Sequence, residues 1–340
     1  MGGDAMSAPA IECLIFPAAT LLPESWRQVS GTGPIRTINP ALLRDGTGWI
    51  LAYRVVLTDG RRRLALCRLD PKLRVVEGSP FPLSDLVRFS NETPYPEIAR
   101  QWLADPRLYR WDGRIFVYWN SGWHEPRNFQ FLQELDPVTL APIGHPRELI
   151  LPGVRRPLEK NWTFFAAHNG GLHAIYSIEP HRVLRFSTAG GGDIRFDEVA
   201  CTEWAIPGYP PSHGGLRGGA PPVWHDGCFW SFCHSVHDGA NGYSYAASVY
   251  CFAAGPRFAP LAGPVKSLPL GRPYSATRTH ARLNPAVGEV IYPCGAARDG
   301  TRWLISHGIN DEQCAISLVD DTEVRACLRP WSGGVSGERN

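Results

Sequence analysis

The feature that most constrains this chain is a short pattern that returns five times. A strand-like run follows an Asp-Gly or Asn-Gly turn at Asp45-Gly46, Asp112-Gly113, Asn169-Gly170, Asp226-Gly227 and Asp299-Gly300. Such dipeptides between apolar runs mark tight β-hairpins, because they tolerate the positive φ angles that the turn demands. The runs read Trp49 to Val55, Arg114 to Asn120, Leu172 to Ile178, Cys228 to His234 and Arg302 to Gly308. A short strand starting near residue 39, 105, 161, 221 or 291 precedes each hairpin, and a third run follows it. With a less distinct outer strand allowed to each copy, five four-stranded antiparallel units result. The expected fold is therefore all-β, a five-bladed β-propeller closed by pairing of segments near the two termini. Residues 35–330 form this one domain, after an N-terminal segment of residues 1–34 and before a loose tail at 331–340. A β-sandwich with accidental hairpins is the alternative.

Composition agrees with a turn-rich globule. The 340 residues include 35 Gly and 31 Pro, and only 19% are charged, which disfavours long helices. Apolar residues make up 44%, with 12 Trp, 11 Tyr and 14 Phe, enough for a large core. The 34 basic and 32 acidic residues give a formal charge of +2, so no global field attracts nucleic acid or an anionic membrane, and neither is expected as a partner. Nine Cys without a C-x-x-C pair read as reduced core thiols of a cytoplasmic protein. The apolar stretch Cys13 to Leu22 is short, has no basic residue before it and is interrupted by Pro17, unlike a leader or a membrane span. Residues 84–103 read as an irregular, partly helical connection over one face.

In a propeller the starts of the innermost strands converge at one mouth of the central channel. Here those starts read Asn39-Pro40, Asp105-Pro106-Arg107, Glu159-Lys160-Asn161-Trp162, Arg217 to Pro222, and Tyr292-Pro293-Cys294-Gly295. Together with Ser306-His307-Gly308-Ile309-Asn310-Asp311, their order resembles glycoside hydrolase family 130, the mannoside phosphorylases and β-1,2-mannosidases. That family shows N-P, E-D-P-R, K-D, G-x-G-x-x-P, F-P-x-G and Y-Y-G-x-x-D in this sequence of blades. The resemblance spans about residues 39 to 316 and implies a five-bladed propeller acting on glycosides, with an oligosaccharide or sugar phosphate as partner. It also implies inorganic phosphate as a co-substrate in place of any resident cofactor.

Two departures matter. The family's acid is the Asp of K-D, which is Asn161 here, and the carboxylate before D-P-R is Ala104. Glycoside cleavage ordinarily needs an acid for the leaving oxygen and a base or anion on the other face. Glu159, two residues before Asn161, would share its face on an extended strand and is the expected substitute acid. Asp105 and Asp311 are the other candidate catalytic carboxylates. Arg107 and Lys160 match positions that face an anion in the phosphorylases, and a bidentate Arg beside a Lys suits phosphate or carboxylate. Asn39, Asn161, Trp162, His181, Arg217, His234 and His307 complete the expected substrate contacts. Bland readings stand beside these: Asp105 with Arg107, or Glu159 with Lys160, as simple ion pairs, and Asn161 as a turn residue.

Other chemistries find little support. Cys228, Cys233, His234 and His237 lack zinc-ligand spacing, since residues five apart on a strand face opposite ways, and no metal is expected. The glycine-dense stretch from His213 to Pro222 does not lead from a strand into a helix and is no dinucleotide fingerprint. G-x-S-x-G is absent. Trp119, Trp123, Trp162 and Tyr292 suit either sugar stacking or blade packing. Two non-enzymatic readings remain open: a glycan-binding propeller without its acid, and a protein-interaction scaffold.

Overall fold

In a computed structural model the chain is described over residues 11–331, apart from 31–32, 93, 123–126, 154–155, 169, 188–192, 205, 207–214, 240–241 and 271–279. Asn169, Trp123, His213, residues 1–10 of the N-terminal segment and the expected loose tail, save Trp331, lie outside the described residues. The chain opens with β1 (Glu12–Phe16). Blade one follows as β2 (Arg36–Asp45), β3 (Gly48–Val56) and β4 (Arg62–Leu69). Blade two is β5 (Ala104–Trp111), β6 (Arg114–Asn120), β7 (Gln130–Leu135) and β8 (Pro142–Ile150). Blade three is β9 (Thr163–Ala166), β10 (Leu172–Ser177), β11 (His181–Ser187) and β12 (Ile194–Thr202).

In blade four the inner strand is split into β13 (Leu216–Gly218) and β14 (Val223–His225), both paired with β15 (Cys228–Gly239), and β16 (Gly242–Phe252) and β17 (Pro260–Pro264) follow. Blade five is β18 (Val287–Asp299), β19 (Arg302–Ile309) and β20 (Gln313–Asp320). Its fourth strand is β1, antiparallel to β20 from Glu12 opposite Leu318 to Phe16 opposite Cys314. The start of the chain thus closes the ring on its last blade, from residues ahead of the boundary expected at residue 35. Near the other end, β21 (Leu328–Pro330) pairs with β17 of blade four.

The hairpins form where the turn dipeptides stand. Gly46, Gly113, Gly170, Gly227 and Gly300 all have positive φ, as do Asp112 and Asp226. The outer strand is least distinct in blade one, where isolated bridges from Leu66 to Phe81, from Leu69 to Val75 and from Arg62 to Trp102 extend the sheet. The connection after it carries two short helices, Leu83–Leu86 and Glu97–Gln101.

Period-two alternation sends the two faces of each blade to different neighbours. In β3, Trp49, Leu51, Tyr53 and Val55 pack with Leu304 and Ile316 of blade five, while Ile50 and Ala52 pack with Val117 and Trp119 of blade two. Phe116 and Tyr118 of β6 turn instead to Trp162, Phe164 and Phe196 of blade three. Phe165, Ile175 and Val183 meet Phe229, Tyr250 and Phe252 across the next gap, and Trp230, Phe232 and Val249 meet Trp303 and Ile305 across the last. Five apolar clusters fill five inter-blade gaps, so the hydrophobic core is a ring around a channel. Among the described residues no helix is long and apolar enough to cross a membrane.

Candidate active site

The mouth is built by an irregularity that three blades share. Asn39, Asp105 and Asn161 stand at equivalent places where the innermost strands begin, and all three hold positive φ, at 55°, 53° and 65°. Asn and Asp tolerate this left-handed conformation better than other side-chain-bearing residues, because their short polar groups can bond locally. In blades one and two the pairing register slips at the same point, between Ile38 and Ala41 and between Ala104 and Arg107. The turn after β19 repeats the device, with Asn310 and Asp311 both at φ 56° and Asn310 exchanging bonds with the Val290 backbone. Two glycines let these segments close up: a Cβ on Gly218 would collide with the Asn161 carbonyl oxygen, and one on Gly308 with the Asn39 side chain.

These residues enclose a cavity of about 430 Å³. Seven of the expected catalytic and substrate-contact residues line it, Asn39, Asp105, Lys160, Asn161, Arg217, His234 and Asp311, one or two from every blade, together with Ala104 and Tyr292. Asp105 Oδ1 accepts a hydrogen bond from Asn39 Nδ2 at 2.7 Å and lies 3.3 Å from Arg54 Nη1. Burial pushes the Asp105 carboxyl up, but Arg54, Lys160, Arg107 and the Asn39 amide together outweigh it and hold it below its ordinary value. Asp105 is thus an anion at neutral pH. Arg54 Nη2 also reaches to 3.9 Å of Asp311 Oδ1, so one guanidinium ties the two cavity carboxylates together.

His234 is buried beside Tyr292 and Tyr245, with ring centroids 4.5 and 5.6 Å away. Burial, then the charges of Lys160, Arg217 and Arg107, drives its pKa well down, so the imidazole stays neutral. Its Nδ1 has no partner among the described residues. Lys160 and Arg217 are exposed at the rim, and neither pairs with a described carboxylate. Asn161 Oδ1 accepts a hydrogen bond of 2.8 Å from the Tyr292 hydroxyl.

The structure places the other expected residues elsewhere. Glu159 is not at the mouth. Residues 159–161 precede β9, and the left-handed turn at Asn161 breaks the alternation that would have put both side chains on one face. Glu159 is instead buried, with its backbone clamped by Asn128 and its Oε1 3.2 Å from the Tyr176 hydroxyl. Burial raises its pKa against the lowering effect of Tyr176 and Arg156.

Arg107 lies behind the cavity. Its guanidinium donates to the backbone carbonyls of Gly219, Asp105 and Pro106 and, at 3.1 Å, to the Tyr292 hydroxyl. It therefore positions Tyr292, which in turn holds Asn161. The ion pair of Asp105 is with Arg54 rather than with Arg107. Trp162 packs edge-on against Tyr176 and Phe196 in the gap between blades two and three. His181 pairs with Tyr250 and His307 with Ser317, both buried, with pKa values pushed down by desolvation to about 3 and about 4. Sequence reasoning missed Arg54, Arg62, Trp102, Asn120 and Tyr245, all of which line the cavity. Arg54 left a signal: it is a lone charge in the apolar run Trp49 to Val55, and a buried charge needs a partner. Among the described residues no cluster of His, Cys, Asp and Glu could hold a metal.

The ring of five blades and its polar mouth have counterparts among solved proteins. β-1,2-Mannobiose phosphorylase from Listeria innocua, solved with β-1,2-mannobiose, superposes with a TM-score of 0.60 at 13% identity, over 93% of this chain and 99% of that one. This is the fold of the mannoside phosphorylases. A structure from the GH130 family of mannoside phosphorylases, which contains glycoside hydrolases that target β-1,2 mannosidic linkages in Candida mannan, gives 0.60 at 11% identity over 84% and 85% of the two chains. A mannose phosphorylase from Leishmania mexicana in complex with phosphate ion gives 0.53 at 11% identity, with 88% of each chain covered. No protein-family model matches the sequence, and no curated protein matches it. At these identities the likeness establishes the fold, and the chemistry must be argued from the cavity itself.

Proposed function

We propose that the protein is carbohydrate-active, taking an oligosaccharide or sugar phosphate into the mouth cavity and transferring a glycosyl group to phosphate, water or a sugar acceptor. The supporting observation is the convergence of Asn39, Asp105, Lys160, Asn161, Arg217, His234 and Asp311 on one cavity of about 430 Å³. That volume lies within the ~300 to 1,000 Å³ usual for small-ligand sites. The ionised Asp105 and the Asn39 and Asn161 amides suit sugar hydroxyls, while Lys160 and Arg217 suit the oxygens of inorganic phosphate. Transfer requires a proton on the leaving oxygen as its bond to the anomeric carbon breaks, and a new bond from the acceptor oxygen to that carbon. Asn161 has no acidic proton and Asp105 is held ionised, so Asp311 is the cavity carboxyl assigned to proton transfer. Nine free thiols support a cytoplasmic setting.

One observation favours a second reading, a glycan-binding propeller without turnover. Asn161 stands where the resemblance places the acid, and the Tyr292 hydroxyl already holds it in place. Calorimetry with β-1,2-mannobiose and with inorganic phosphate, beside a turnover assay with product analysis, separates the two. Turnover that Asp311→Asn cuts at least ~100-fold supports the enzyme, that being the lower end of what a general acid contributes. Saturable sugar binding without turnover selects the binder, and the absence of both rejects the carbohydrate reading.

A further inference from the structure

The charges around the cavity do not balance, and the excess sits in two places. Arg54, Arg62, Lys160 and Arg217 line it against Asp105 and Asp311, while His234 is held neutral. Arg54 is committed to both carboxylates. Lys160 and Arg217 come from blades three and four and flank His234, where they suit a single phosphate. Arg62, the first residue of β4 in blade one, is across the ring from them.

Arg62 has no carboxylate partner among the described residues. Its guanidinium stacks over Trp102 with its centre 4.8 Å from the ring centroid, and Nη1 donates to the Gly60 carbonyl at 2.7 Å. Its other N–H groups donate to no described residue. Burial and the neighbouring Arg54 push its pKa down to about 10 despite Asp311, so the site disfavours the cation that it holds. A half-buried guanidinium held by a stacking ring, short of negative charge and lining a ligand cavity, has the chemistry of an anion receptor.

Building on the carbohydrate reading, we propose that the sugar taken by this cavity is itself anionic, with a phosphate or carboxylate held by Arg62, separate from the inorganic phosphate at Lys160 and Arg217. The geometry fits a ligand charged at its far end from the reacting phosphate. A neutral mannoside would leave Arg62 uncompensated, whereas an anionic sugar satisfies it by charge-assisted hydrogen bonds.

Titration calorimetry at low salt with mannose, mannose 6-phosphate, mannuronate and inorganic phosphate tests this. At least one anionic sugar should bind about tenfold or more tighter than mannose, the lower end of what a hydrogen bond to a charged group contributes. The arm that gains identifies phosphate or carboxylate. Arg62→Met keeps an apolar stem against Trp102 and should abolish that preference, Arg62→Lys should retain part of it, and Lys160→Met should weaken inorganic phosphate instead. Mannose binding as tightly as both anionic sugars, or Arg62→Met weakening mannose and its anionic forms alike, overturns the proposal and leaves the carbohydrate reading standing. No binding of any sugar overturns both.

Discussion

The two ends of the central channel are made from the same strands under opposite rules. At the mouth, the inner strands of blades one to three begin with left-handed Asn39, Asp105 and Asn161, and glycines 218 and 308 are there because neighbouring atoms leave no room for a Cβ. At the base the same strands run on through Leu42 and Leu43, Leu108 and Tyr109, and Phe164 and Phe165, which line an apolar space of about 240 Å³ with Pro221 and Pro222. There the hairpin glycines 46, 113, 227 and 300 have open space around them and are needed only for their positive φ. Blade packing alone would be served by regular strands at both ends. Left-handed Asn39, Asp105, Asn161, Asn310 and Asp311, the buried pair of Asp105 with Arg54 and the unpartnered Nδ1 of His234 come together at the mouth, whereas the left-handed Asp112 and Asp226 at the base serve their hairpin turns.

If that contrast is physical, breaking the mouth should cost more than breaking the base. The largest loss is expected from Asp105→Asn, which leaves the Arg54 guanidinium, 10% exposed, without its nearest carboxylate. Removing one partner of a buried pair costs on the order of 3 kcal/mol, measurable by urea denaturation at pH 7. The loss should depend on pH. The folded-state pKa of Asp105 is depressed, so its contribution is fully present above the unfolded value of about 3.9 and disappears as pH falls through the folded value. Wild type and variant should therefore begin to converge only as pH falls below about 4, and meet below the folded value. A gap that is constant with pH would mean that the charge of Asp105 is not what holds the mouth together.

Next in size is a pair of glycine substitutions, one at each end. Gly218→Ala drives a methyl into the Asn161 carbonyl and should cost about 1 to 3 kcal/mol, with loss of ligand binding because Asn161 must move. Gly227→Ala at the base meets no atom and should cost about 1 kcal/mol for its φ of 76°, with ligand binding intact. Equal losses in thermal melts, or lost binding in both, would remove the distinction between the two ends.

The same contrast explains what could be read from the sequence. The base was legible because it obeys local rules: Asp45-Gly46, Asp112-Gly113, Asp226-Gly227 and Asp299-Gly300 each marked a hairpin between two strand-like runs. The five blades followed, with closure by the chain ends. At the mouth, motif order located Asn39, Asp105, Lys160, Asn161, Arg217, His234 and Asp311, but strand geometry misplaced their neighbours. Arg107 has the chemistry of an anion ligand and is spent on Tyr292 and three backbone carbonyls. Trp162, His181 and His307 were chosen for residue type, and each proved to be packed within or between blades. Arg54, a lone charge in an apolar run, and Arg62, at the start of the next strand, were passed over because the motifs were sought at the inner strands, although antiparallel pairing brings both to the same mouth.

Glu159 shows most directly how one dihedral angle moves a side chain from one environment to another, and it carries the smallest predicted effect. With Asn161 at φ 65°, Glu159 lies behind the mouth against Tyr176, where burial raises its pKa. A carboxyl whose folded-state pKa is raised stabilises the fold below its unfolded value of about 4.3, and that contribution is lost as pH rises through the folded value. At pH 7, above its unfolded value, a carboxyl whose pKa is raised in the fold is therefore a small burden that a neutral isostere lacks. Glu159→Gln keeps an acceptor for the Tyr176 hydroxyl and leaves the two Asn128 bonds untouched, since both are to the Glu159 backbone. Its melting temperature should rise at pH 7 by no more than about 2 °C and match wild type at pH 4. Sugar and phosphate affinity and any turnover should stay within about twofold of wild type, far from the ~100-fold fall expected of a lost general acid. A large fall in rate with unchanged stability would bring Glu159 back to the mouth and end the account of the turn at Asn161.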